Sequence, residues 1–128
     1  PWTDLTASGE SVKFNAEKDP YLSYDNFLTT GKSSKTAVQD WYAPGQDYSD
    51  PMISPVFADY ESFPETLIQV SDIEILLSDA INLRERLQQN NNSVSLKIYK
   101  NVPHVWQVFG FLPEAKEATL EISNFLNS

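Results

Sequence analysis

The chain holds one histidine, His104, in the stretch IYKNVPHVW at 98–106. Imidazole is the side chain best suited to taking up and returning a proton near neutral pH. Such a base works with a carboxylate on one ring nitrogen, which fixes the tautomer and stabilises the imidazolium, and with a nucleophile at the other nitrogen. Asp72, Glu74 and Asp79 all lie upstream of His104, and residue type alone does not choose among them. One histidine, no cysteine and scattered carboxylates form no ligand set, so no metal or cofactor is implied, and no thiolate nucleophile exists.

Whether an acid and His104 can meet depends on the elements that carry them. Thr66-Leu-Ile-Gln-Val70 is short, apolar and β-branched, bounded by Pro64 and by Ser71-Asp72, and is predicted to be a buried strand. Leu76, Ala80, Leu83 and Leu87, with Leu77 and Ile81 widening the stripe, predict a helix that Asn90-Asn-Asn92 ends. Ser93–Tyr99 is the next strand, with Val94, Leu96 and Ile98 on one face and a wet opposite face, the pattern of a sheet edge. A last helix opens at Pro113 and carries Ala115, Ala118, Ile122 and Phe125 on its apolar face.

Two strands joined by a helical crossover run parallel, so both carboxyl ends face the same way. Ligand crevices of open α/β sheets lie beyond those ends, where Ser71–Leu76 and Asn101–Trp106 fall. Adjacent strands are only ~4.8 Å apart, so the acidic loop and the histidine loop become neighbours. The order acid then histidine, on successive parallel strands, matches the later part of an α/β-hydrolase triad.

Residues 1–63 are richer in aromatics, proline and glycine, and predict loops and short helices. Ser8-Gly-Glu-Ser11 can cap a helix over Glu10–Glu17 that stops near Asp19-Pro20. A second helix is predicted over Ser34–Tyr42 before Pro44-Gly45. Gly31-Lys-Ser-Ser lacks the upstream glycine of a P-loop and is predicted to be a turn.

A chain of 128 residues suits one domain or part of one. Its net charge of −9 argues against nucleic acid as a partner. No apolar run approaches the ~20 residues of a membrane span, so no transmembrane segment is expected. The lack of cysteine leaves the compartment open. The sequence opens on Pro1 without an initiator Met or a basic leader, which raises the expectation that it starts mid-protein.

Six blocks, in order, carry a family resemblance over nearly the whole chain. They are PWTDL at 1–5, NAEKDPYLS at 15–23, DPMISPVFAD at 50–59, PETLIQVSDIEILLSDA at 64–80, LKIYKNVPHVWQVF at 96–109 and LPEA at 112–115. The sequence resembles the C-terminal portion of a hormone-sensitive-lipase-type α/β-hydrolase, of the esterase/lipase group that includes arylacetamide deacetylase-like enzymes. The resemblance implies an α/β fold whose last two parallel strands and flanking helices occupy 64–128, preceded over 1–63 by a cap region and connecting segment. It also implies hydrolysis of a small apolar carboxylic ester without metal or cofactor.

In that family the acid opens a motif Asp-Pro-Leu-x-Asp-Asp/Glu, and the matching run here is Glu74-Ile-Leu-Leu-Ser-Asp79. The resemblance therefore ranks Glu74 above Asp72 and Asp79 as the acid, with His104 as the catalytic histidine 30 residues later. Glu stands for Asp at 74, Ile75 for Pro and Ser78 for the second Asp, so the loop must accommodate a longer acid. Val105 and Trp106 replace a Gly-Phe or Val-Phe pair and are expected to bind substrate in a narrowed pocket. Phe14, Phe27, Trp41 and Tyr42 could form an apolar cap wall, although packing within the cap is the simpler role for each.

A G-x-S-x-G elbow and a glycine-rich oxyanion loop are both absent, because no two of Gly9, Gly31, Gly45 and Gly110 have the spacing. The expected partner is thus an N-terminal part of the same hydrolase, carrying the serine, without which the isolated chain should be inactive and unstable. The alternative is a non-catalytic, hydrolase-like ligand-binding or interaction subunit.

Overall fold

β-Branched and apolar residues form two strands, β1 (Thr66–Ser71) and β2 (Val94–Tyr99), in the computed structural model of the protein, which describes residues 2–22 and 37–127. They pair in parallel, with Thr66 opposite Val94, Ile68 opposite Leu96 and Ser71 opposite Tyr99. The crossover between them is a helix, Leu77–Gln89, and a final helix spans Pro113–Leu126. Among the described residues two short α-helices and a 3-10 helix, Pro55–Phe57, precede the sheet, and the α-helices run α1 (Ser11–Phe14), α2 (Ala37–Tyr42), α3 (Leu77–Gln89) and α4 (Pro113–Leu126).

The two faces of the sheet have separate cores, as alternation along a strand requires. On one face Ile68 and Val70 pack with Tyr60, Ala80 and Leu87, and Leu77, Leu83, Val94 and Leu96 border them. On the other, Val102, Trp106, Ala115 and Ala118 form a core edged by Tyr99, Phe109 and Leu112. The side chain of Gln69 crosses to α4, donating to the Ala118 carbonyl and to Glu121 at 3.0 Å each. Asn91 ends the turn after α3 in the left-handed region at φ 58°, and Asn92 Nδ2 reaches the Tyr60 carbonyl at 2.6 Å.

Four expectations change. The helix expected over 10–17 is a single α turn followed by hydrogen-bonded turns, because Glu10, not Ser8, precedes it and no side chain caps it. Ser8 gives its hydroxyl to Asp4 at 2.7 Å instead. Ile98 is 49 % exposed and Ile122 37 %, so the apolar faces that carry them are covered only in part by the described residues. β2 has no strand on its outer side among the described residues. The predicted turn at Gly31, the start of the second predicted helix and Phe27 lie outside the described residues.

Candidate active site

Parallel pairing brings the loop after β1 against the loop after β2. Asp72 accepts the Asn101 N–H at 2.8 Å, and the Asp72 N–H bonds to the Tyr99 carbonyl at 2.9 Å. Asn101 sits in the left-handed region at φ 55°, which asparagine tolerates, and this turn redirects the chain back over the strand ends. His104 Nδ1 then lies 2.6 Å from Glu74 Oε2.

The three carboxylates left open by spacing have three different partners. Asp72 is spent on the backbone of the histidine loop, and Glu74 holds the imidazole. Asp79 turns the opposite way, accepting the backbone N–H groups of Thr3 at 2.7 Å and Asp4 at 2.8 Å. Glu74 is 4 % exposed, and its second oxygen, Oε1, accepts the Ser71 N–H at 2.9 Å. Both carboxylate oxygens are therefore engaged, and the orientation toward His104 is set from the end of β1.

The imidazole is about a quarter exposed, and its Nε2 has no partner among the described residues. With Nδ1 against a carboxylate, this ring can donate there and accept a proton at Nε2. A cavity of about 180 Å³ adjoins the pair, lined by Glu74, His104, Val105, Trp106, Gln107 and the β1 residues 68–70.

Val105 is 47 % exposed beside His104 and adopts φ 54°, a left-handed conformation that a β-branched residue rarely takes. Trp106 is 1 % exposed and reaches the cavity from the core, its ring 4.9 Å from that of Tyr99. Its Nε1 is buried without an acceptor among the described residues. Gln107 Nε2 donates to Gln69 Oε1 at 3.1 Å, tying the histidine loop to β1. Of the expected cap-wall residues, Phe14, Trp41 and Tyr42 are mostly exposed.

The segment before the sheet contributes groups that sequence reasoning missed. Ser11 and Ser78 exchange bonds, each backbone N–H reaching the other's hydroxyl at 2.9 and 2.8 Å, and Ser11 Oγ also donates to the Ile75 carbonyl at 2.5 Å. Asn15 donates to the carbonyls of Asp72 and Glu74, and Asp19 accepts the Ile75 N–H. Asn15 and Asp19 stand in the block NAEKDPYLS, but a helix expected over 10–17 gave Asn15 no reason to face inward. Burial raises the Asp79 carboxyl to about 6, and the nearby Asp4 adds to this, against the lowering effect of the Thr3 and Asp4 N–H bonds.

Among the described residues no group of three or more His, Asp or Glu could hold a metal ion, and no helix is long and apolar enough to cross a membrane.

Residues 1–108 match the family model described as the alpha/beta hydrolase fold. The chain belongs to the α/β-hydrolase family. An esterase of Acinetobacter venetianus strain RAG-1 is 38 % identical over all of the chain, which covers 40 % of that relative. The hormone-sensitive-lipase homologue EstE7 from a metagenome library superposes with a TM-score of 0.87 at 36 % identity, over 99 % of this α/β-hydrolase-fold chain and 41 % of EstE7. A hormone-sensitive lipase from a metagenome library is 39 % identical with a TM-score of 0.81, over 98 % of the chain and 40 % of the neighbour. The chain thus spans about two fifths of the length of these relatives. Its two parallel strands and flanking helices match the C-terminal part of the α/β-hydrolase fold.

Proposed function

We propose that this chain supplies the base and the acid of a Ser–His–Glu triad in a carboxylic ester hydrolase. The nucleophilic serine and the oxyanion-hole donors come from an N-terminal part of the same protein. The observation that carries the proposal is the pair itself, with Glu74 Oε2 at 2.6 Å from His104 Nδ1 and the imidazole's other nitrogen unpartnered among the described residues. The 38 % identity to an esterase supports the reaction class.

In this reading Nε2 of His104 takes the serine proton as Oγ attacks the ester carbonyl carbon. Glu74 stays ionised and stabilises the imidazolium. The same proton then passes to the departing alkoxide oxygen as the C–O bond breaks, leaving an acyl-enzyme. Water repeats the sequence and releases the acid. No metal or cofactor takes part in these steps.

Residues 64–128 belong in this account to the hydrolase core, and residues 1–63 to a cap region and connecting segment. Val105 touches a small apolar ester from beside the histidine, and Trp106 closes the cavity from below. The isolated chain holds no nucleophile at elbow spacing and does not turn over.

The test uses the protein assembled with its serine-bearing part. His104→Ala and Glu74→Ala should each reduce kcat on a short-chain aryl ester by about 10³-fold or more. Full activity in either variant removes that residue from the triad.

A further inference from the structure

The peptide bond that follows the acid is held on both polar sides by one short segment. The carbonyl of Glu74 accepts Asn15 Nδ2 at 2.9 Å, and the N–H on the other side of the same peptide, that of Ile75, goes to Asp19 Oδ2 at 3.0 Å. Asn15 Nδ2 also binds the Asp72 carbonyl at 2.9 Å, bracketing the acid from two residues upstream. Asn15 is 4 % exposed and Asp19 1 %, while Ile75 is fully buried, so none of these bonds competes freely with water.

The holder is itself fixed. Asn15 N–H bonds to the Ser11 carbonyl at 2.9 Å, and the second oxygen of Asp19 accepts the Tyr21 and Leu22 N–H groups at 3.0 and 2.9 Å. Nothing in this set touches the imidazole. Its bonds end on the backbone that aims the Glu74 side chain.

We infer that Asn15 and Asp19 are positioning residues for the candidate triad, clamping the Glu74–Ile75 peptide so that the Glu74 carboxylate meets His104. This rests on the triad reading above. A misplacement of about 1 Å in a catalytic group costs on the order of 100-fold in rate, so a clamp on the acid's own peptide bears on kcat more than on substrate affinity.

The experiment compares Asn15→Ala and Asp19→Asn in the assembled protein with Leu87→Ala, which removes a fully buried side chain from the α3 core away from the site. Assays on a short-chain aryl ester are run where far-UV circular dichroism shows every variant folded. Both clamp variants should lower kcat by about tenfold or more with KM within about twofold. Leu87→Ala should lower the melting temperature while leaving kcat within about twofold of wild type.

Wild-type kcat in the clamp variants, or changes no larger than those of Leu87→Ala, would overturn the inference. Glu74→Ala and His104→Ala run alongside separate the two levels. If those are inactive while the clamp variants are normal, the positioning role alone fails. If they are fully active, the triad reading fails and takes the clamp with it.

Discussion

Glu74 reaches His104 with one carboxylate oxygen while the other is bound to the backbone of Ser71, only three residues away. The acid is thus oriented from the end of β1, and the contact to Nδ1 is not free to rotate away. Glu74→Gln keeps the size and the Ser71 contact but removes the charge that, in the proposed triad, would stabilise the imidazolium. In the assembled protein kcat should fall by about 10³–10⁴-fold. Steady-state kinetics on a short-chain aryl ester checks this, and a loss under tenfold would take the charge of Glu74 out of the reaction.

Val105 follows the histidine in a left-handed conformation that its branched side chain resists, and it is about half exposed among the described residues. Strain of this kind costs about 1–2 kcal/mol and persists where surrounding contacts over-determine the backbone. Val105→Asn should stabilise the protein by about 1 kcal/mol, since asparagine accepts this region. Denaturant melts of the two proteins measure it. A destabilised variant would show that the side chain, rather than the backbone, is the larger contribution.

Gly9 lies where the N-terminal segment crosses the start of α3. A Cβ added there would stand 2.6 Å from Cβ of Ser78, the residue that exchanges hydrogen bonds with Ser11. Gly9→Ala should therefore push residues 8–11 off α3 and destabilise the protein by about 1–3 kcal/mol. A wild-type denaturation midpoint would mean that the two segments separate without cost.

The strands, both long helices and their parallel order were legible because apolar periodicity is a local signal. Parallel order alone placed the loops of Glu74 and His104 together, since strand ends separated by one crossover are neighbours in space. The supports of the site were not legible. Asn15, Asp19 and Asp79 act through hydrogen bonds that span 56 to 76 residues, and a helix expected over 10–17 does not show which distant backbone groups Asn15 and Asp19 will meet. Ile98 and Ile122 mark the same limit: periodicity assigns a face, whereas coverage of that face depends on what packs against it.

Asp79 offers a pH test of the tie between residues 3–4 and α3. Burial, with Asp4 adding to it, lifts its carboxyl from 3.8 to about 6. Between those values the folded protein binds more protons at this site than the unfolded chain, so stability falls as pH rises through that window and is recovered on acidification. The contribution is fully present below about pH 4 and lost above about pH 6, a difference of roughly 3 kcal/mol as an upper bound. Asp79→Asn abolishes the titration, so subtracting its unfolding free energy from that of the wild type between pH 4 and 7 isolates this group. The wild type should gain relative to the variant as pH drops. A difference that is flat, or that runs the other way, would mean that the Thr3 and Asp4 N–H bonds outweigh burial and keep Asp79 ionised throughout.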